Sequence, residues 1–210
     1  IHSLSDLLSD IVVLIFTHIS SKGNDRDHSF GHGKFETLAT LIVSVILIIA
    51  GARLMSGGVR SIIGVFNGEA IPKPGYVALI AAIISILAKE ILYHATVKVG
   101  KRSCSPAVIA NAWHHRSDAF SSIGSLVGIG GAILLGDKWT ILDPLASCVI
   151  SIAIIVVAIK MAMPSLAELL ETSLPEDIEN GIRETAASVK GVIDIHELKT
   201  RRNGMSFIID

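Results

Sequence analysis

His2 and Asp6 stand four residues apart, and His114 and Asp118 repeat the pair more than a hundred residues later. On a helix, positions i and i+4 lie one above the other on the same face. Two such helices facing each other would offer two imidazole nitrogens and two carboxylate oxygens. That is a tetrahedral shell of the kind zinc favours, and its two carboxylates would neutralise a divalent ion. The alternative is that each pair only reaches a membrane interface or bonds a neighbouring helix. A second group, Asp25, His28 and His32, gathers three oxygen or nitrogen ligands within eight residues. Its spacing fits either a further metal site or a solvated polar loop. His115, rotated about 100° from His114 on a helix, reads as a helix contact. Asp10 continues the His2/Asp6 face and either lines an ion path or faces a solvated vestibule. Glu90 and His94, beside Lys89, form another i,i+4 pair and read as a Lys/Glu cluster at the inner end of a membrane helix.

The elements that hold these groups are set by composition. Of 210 residues, 50% are hydrophobic and 18% charged, with mean hydropathy +0.62; soluble domains carry about 25% charge. The apolar residues are segregated: runs 38–52, 76–88, 123–135 and 141–159 contain no Lys, Arg or Glu, and one Asp, Asp143. With its flanks each reaches about 20 residues, the length that crosses about 30 Å of hydrocarbon as a helix. Helices are expected over 1–20, 34–59, 76–97, 107–135 and 143–163, the last capped by Asp143-Pro144. Ionisable groups inside a bilayer cost about 2.5–3.5 kcal/mol each, so the His/Asp pairs need a structural or functional reason. Lys22, Arg26, Lys34, Lys98, Lys101 and Arg102 load the loops of one side against Arg60, Lys73 and Lys138 on the other. The more basic side is cytoplasmic by the positive-inside rule, which places loop 21–33 and the segment after the fifth helix inside.

That segment reads as a separate unit. Ser173 can cap a helix with Pro175, Glu176 and Asp177 in its first turn and Ile178, Ile182, Ala186 and Val189 on one face. Gly191 ends it, and strands over 192–200 and 205–209 flank Asn203-Gly204, a hairpin signal. An αββ unit of under 40 residues buries too little surface to stand alone. The chain is therefore expected to divide into a membrane domain, 1–172, and the first part of a cytoplasmic α+β domain, 173–210.

Other classes are excluded. A net charge of −1 gives no reason to expect nucleic acid. Cys104 and Cys148 have no CxxC spacing and read as packing residues. His196-Glu197-Leu198-Lys199-Thr200 fails the HExxH pattern at its last position and falls in an expected strand, so no intramembrane metallopeptidase, and no enzyme, is read here. The chain opens at Ile1 with no charged segment before its first apolar stretch, so this is not a signal peptide, and an earlier part of the protein is expected to precede it.

The runs His2-Ser3-Leu4-Ser5-Asp6, His28-Ser29-Phe30-Gly31-His32-Gly33-Lys34 and His114-His115-Arg116-Ser117-Asp118, in that order, resemble the cation diffusion facilitator family of metal/proton antiporters, in its prokaryotic branch. The resemblance implies a six-helix membrane bundle with the transport site on its second and fifth helices, and a ferredoxin-like cytoplasmic αββ domain that dimerises. The chain would then begin in the second family helix and stop inside the cytoplasmic domain. His2, Asp6, His114 and Asp118 match the transport ligands, and Asp25, His28 and His32 match a loop site of some members. His196 matches one ligand of a cytoplasmic metal cluster. Lys34 and Glu171 match charges that interlock at the inner membrane surface. The implied activity is efflux of a divalent cation in exchange for protons by alternating access, in a homodimer of the cell's inner membrane. Histidine in both pairs resembles zinc-selective members, whereas manganese-type relatives carry Asn or Asp there. Fe²⁺, as in magnetosome-associated members, Mn²⁺ or Cd²⁺ stay open as cargo, as does a non-transporting metal sensor or scaffold.

Overall fold

The computed structural model describes residues 2–67, 76–135 and 141–210, with side chains for all of these except 2–9, 76–79, 125 and 128–135. Five long helices form: α1 (His2–Ser20), α2 (Lys34–Phe66), α3 (Tyr76–Arg102), α4 (Pro106–Leu135) and α5 (Leu142–Leu169). Their ends depart from the expected ones for local reasons. α2 runs on to Phe66 because no proline interrupts 60–66; its 33 residues span about 50 Å. α3 absorbs most of the basic loop, since Lys101 and Arg102 are good helix formers that suit the negative end of a helix. Asp143 lies inside the first turn of α5, with Ile141 at the cap and no side-chain capping bond, so the expected Asp143-Pro144 cap is not formed. Among the described residues, Lys34–Phe66, Ile80–Arg102 and Leu142–Leu169 are long and apolar enough to cross a membrane.

The helices pack as two pairs, α2 along α5 and α3 along α4, and α4 also touches α1, α2 and α5. Val13, Ala39, Val43, Leu47, Ala107, Ala110, Ile154 and Ala158 form the buried core. Half of it is alanine, because between helices in lipid attraction comes from close backbone approach rather than from expelled water. Gly58 shows how close: a Cβ there would lie 2.8 Å from Cys148 Sγ and 3.0 Å from the Pro144 carbonyl oxygen. Gly58→Val should therefore lower stability by about 1–3 kcal/mol, read as a reduced unfolding temperature in detergent. Gly57→Val, where nothing lies within 4 Å, is the control that should leave it unchanged.

After α5 the chain forms α6 (Glu176–Ala187), β1 (Thr200–Asn203) and β2 (Ser206–Ile209). Pro175, not Ser173, is the N-cap of α6, and Glu176, Asp177 and Glu179 occupy its first turn, where the helix dipole favours them. The expected strand over 192–200 is irregular as far as residue 199. Glu197 adopts a left-handed backbone, φ 49°, which breaks the extended run. The hairpin is antiparallel, Thr200 opposite Ile209 and Asn203 opposite Ser206. Its two-residue turn is Gly204-Met205, one place later than expected, with the required positive φ (61°) at Gly204. Buried Thr200 ties the hairpin to the rest of the unit. Its hydroxyl accepts from the Leu174 N–H at 3.0 Å and donates to Glu179 Oε1 at 2.5 Å.

Candidate functional site

The loop between α1 and α2 draws Asp25, His28 and His32 together, with one ligand atom from each lying within 4.8 Å of the others. Local hydrogen bonds build this turn. Asp25 Oδ1 accepts from the backbone N–H groups of Asp27 at 3.1 Å and His28 at 2.7 Å, an Asx-type arrangement that aspartate favours over helix. The backbone N–H of His28 chiefly holds the Asp25 carboxyl below its ordinary value; desolvation opposes it, and the Asp27 N–H and the two imidazoles add smaller lowering effects. Asp25 Oδ1 is 3.5 Å from His28 Nδ1 and Oδ2 is 3.5 Å from His32 Nε2. The His32 ring is buried, stacked on Phe35, and its Nδ1 lies 3.0 Å from the Gly23 carbonyl. A proton on Nδ1 donated to that carbonyl leaves the Nε2 lone pair facing Asp25, the way a supporting bond orients a ligand histidine. The trio can hold a divalent cation by one carboxylate and two imidazoles, with solvent completing the shell.

The helical candidates sit elsewhere. Position 2 opens α1 and position 6 lies one turn on, but the side chains of His2 and Asp6 fall outside the described residues, so their meeting with α4 is not described. The next turn of α1 does reach α4. Asn111 Nδ2 donates to Asp10 Oδ1 at 2.6 Å, and His115 Nε2 lies 3.3 Å from the same oxygen. Asp10 thus faces α4, and His115 is a helix contact, 6% exposed. On α4, His114 is 3% exposed and Asp118 lies one turn beyond it. Asp118 Oδ2 accepts a 2.9 Å hydrogen bond from Lys89 Nζ on α3. This corrects the reading of Lys89 as part of a Lys/Glu interfacial cluster at the inner end of the third helix. It lies near the middle of α3, while its neighbour Glu90 pairs with His94 at 3.2 Å and Arg116 at 3.6 Å. Sequence reasoning missed both Asn111 and Lys89 as partners. Asn111 carries a legible signal, i,i+4 from His115; Lys89 carries only its position amid an apolar helix.

At the inner end of the bundle, Lys34 Nζ donates to Glu171 Oε1 at 2.7 Å, and Arg201 Nη1 of the hairpin donates to Glu171 Oε2 at 3.1 Å. Glu171 has a left-handed backbone, φ 59°, at the position where α5 ends with the Thr172 N–H bonded to the Ala167 carbonyl. Such a helix stop normally takes glycine. The hydrogen bond from Lys34, then the charges of Lys34 and Arg201, hold the Glu171 carboxyl below its ordinary value. His196 lies in the irregular stretch before β1 rather than in a strand, exposed and 3.6 Å from Asp194. The strand that should have carried it starts only at Thr200, beyond the break at Glu197.

Two family patterns cover this chain: the cation efflux transmembrane domain over residues 1–170 and the cytoplasmic domain of cation efflux proteins over 174–210. Metal tolerance protein C1 of Arabidopsis thaliana is 37% identical over the whole chain. The manganese efflux system protein MneP of Bacillus subtilis (strain 168) is 33% identical over the whole chain. The magnetosome protein MamB of Magnetospira sp. (strain QH-2) is 30% identical, again over the whole chain. The chain spans about half the length of the Arabidopsis protein, 46%, and 70% and 69% of the other two. With a helical bundle of membrane-length segments, a following helix-and-hairpin unit and both patterns matched in order, the chain belongs to the cation efflux, or cation diffusion facilitator, family.

Proposed function

We propose that the protein exports a divalent metal cation from the cytoplasm in exchange for protons, with zinc as its preferred cargo. The observation that carries this reading is the convergence of Asp25, His28 and His32 in a chain of the cation efflux family. Metal arriving at the inner face would meet this loop, then pass to His2, Asp6, His114 and Asp118 between α1 and α4. Neutral imidazole and ionised carboxylate are the ligating forms, so metal and protons compete for the same atoms. Occupied by a divalent ion, two carboxylates and two imidazoles are formally neutral; alternating access would release the ion as protons replace it.

The membrane domain is read as residues 1–172 and the cytoplasmic, ferredoxin-like domain as beginning at 173. The dimerisation expected of that domain makes the working unit a homodimer, in the inner membrane with loop 21–33 inside. His196 is assigned as one ligand of a cytoplasmic metal cluster. Zinc is favoured by the two histidines of the helical set, because imidazole suits zinc where carboxylate and carbonyl oxygens suit manganese. Manganese is the second reading, supported by a relative named as a manganese efflux protein.

The test is metal flux in sealed vesicles holding the complete protein, with Zn²⁺, Mn²⁺, Fe²⁺ and Cd²⁺ compared and a pH gradient imposed or collapsed. Zinc flux that rises with protons on the releasing side supports the proposal. Manganese flux exceeding zinc flux would favour the second reading, and flux that ignores the gradient would make the carrier a uniporter. At the loop, His32→Ala should weaken zinc binding by at least about tenfold, measured by equilibrium dialysis.

A further inference from the structure

We propose that Lys89 is a tethered counter-cation for Asp118: its ammonium occupies the carboxylate while no metal is bound and must withdraw before a metal takes that oxygen. The inference rests on the assignment of Asp118 as a transport ligand made above.

Charges near the middle of a membrane helix persist only when they are paired or functional, and the structure sorts four of them. Glu90 is met by Arg116 and His94. Arg116 is held in turn by the faces of Tyr93, Trp113 and Phe120, at 4.3, 5.3 and 5.3 Å, a cation–π setting that favours arginine. Those two residues pair with each other. Lys89 is left with Asp118 as its one partner among the described residues, at 2.9 Å with the carboxylate largely buried. A pair that served only to anchor α3 on α4 would duplicate the neighbouring Glu90–Arg116 bridge between the same two helices, and would use a carboxylate that the metal needs.

Competition follows from charge. A dication on Asp118 beside an ammonium at hydrogen-bonding range is repelled by it, so the two cations exclude each other from the oxygen. Lysine suits the exchange better than arginine: it is a compact charge on a flexible four-carbon stem, without a planar fork to hold it in place. Its side chain is 27% exposed, which leaves room for it to swing away. On release of the metal the ammonium returns, so the emptied carrier does not face the low-dielectric interior with Asp118 bare.

The experiment uses the full-length protein with Asp25, His28 and His32 replaced by alanine, so that the loop is silent. Zn²⁺ binding by calorimetry and Zn²⁺ flux in vesicles are then measured for Lys89→Met, Lys89→Arg and Asp118→Asn. The binding lost in Asp118→Asn defines the helical site. Lys89→Met should tighten binding there by roughly 10- to 100-fold, the equivalent of losing one competing charge-assisted hydrogen bond. It should also lower the concentration for half-maximal flux and reduce maximal flux, as release slows. Lys89→Arg keeps the charge and should not tighten binding. Should Lys89→Met be recovered poorly, Lys89→Gln gives the same readout. Unchanged or weaker binding in the neutral variants, with binding still lost in Asp118→Asn, overturns the role of Lys89 and leaves the site assignment standing. Binding retained in Asp118→Asn overturns both.

Discussion

Asp118→Ala should reduce metal flux to background, a fall of at least about 100-fold, because a divalent ion between α1 and α4 would lose one of two neutralising carboxylates in a poorly solvated site. The substitution has a second consequence. It leaves Lys89, bonded to Asp118 at 2.9 Å, with its charge uncompensated between α3 and α4. Breaking a buried pair from one side costs about 3–5 kcal/mol, an upper limit here because Lys89 is partly exposed. Less folded protein should therefore reach the membrane. Asp118→Ala combined with Lys89→Met removes both charges and should restore the yield, seen as monodisperse protein on size exclusion, without restoring flux. That split separates the ligand from the ion-pair partner in a single residue. Wild-type flux in either variant would remove Asp118 from the transport site.

Reversing Lys34 or Glu171 alone should loosen the inner end of the bundle, and reversing both should restore it only in part. Each single reversal places like charges where a 2.7 Å hydrogen bond now stands. The double reversal re-forms that pair but leaves Arg201, which donates to Glu171 at 3.1 Å, facing a lysine. Lys34→Glu with Glu171→Lys and Arg201→Glu should recover more than the double variant. A coupling of this kind is the signature of direct contact, read from unfolding temperatures and from the fraction of dimer in detergent. Purely additive losses would refute it. The pH dependence has a definite sign: Lys34 and Arg201 hold Glu171 below the ordinary glutamate value of 4.5. The contribution of this contact is therefore complete above about pH 4.5 and fades as pH falls further, toward the lowered value in the folded protein. Unfolding temperatures of wild type and Glu171→Gln should differ by a constant amount between pH 5 and 8 and converge only below that range.

The helices themselves were legible because membrane burial demands long unbroken apolar runs, and a run such as 38–52 has no other stable use. Helical pairing within one element was equally legible: four residues always bring two side chains to the same face, whatever surrounds them. The loop trio was visible as a cluster because its members lie within eight residues; spacing left a metal site and a solvated loop as rival readings, and the structure adds that one ligand atom of each side chain converges. The hairpin was visible from Asn203-Gly204, but its register was not. The turn moved to Gly204-Met205 and the strand shortened to Thr200–Asn203, since the break at Glu197 and the anchoring of Thr200 to Glu179 depend on residues outside the hairpin.

What sequence alone determined is therefore local or compositional: apolar helices, the shared face of His114 and Asp118, the nearness of Asp25 and His28 in one loop, and the change to a charged αββ tail. Order of motifs along the chain added the family, whose patterns cover both parts. Apart from Lys34 and Glu171, which the family resemblance paired, only the tertiary structure decided which charge meets which across elements. Lys89 reads from the sequence as a neighbour of Glu90, yet the packing of α3 on α4 delivers it to Asp118. Asn111 reaches Asp10 over 101 positions, and Glu171, at the left-handed stop of α5, meets Arg201 of β1 as well as Lys34 of α2. Helical periodicity is set by backbone geometry within each segment, whereas these pairings depend on helix–helix contacts spread over dozens of residues, and no short stretch of sequence carries them.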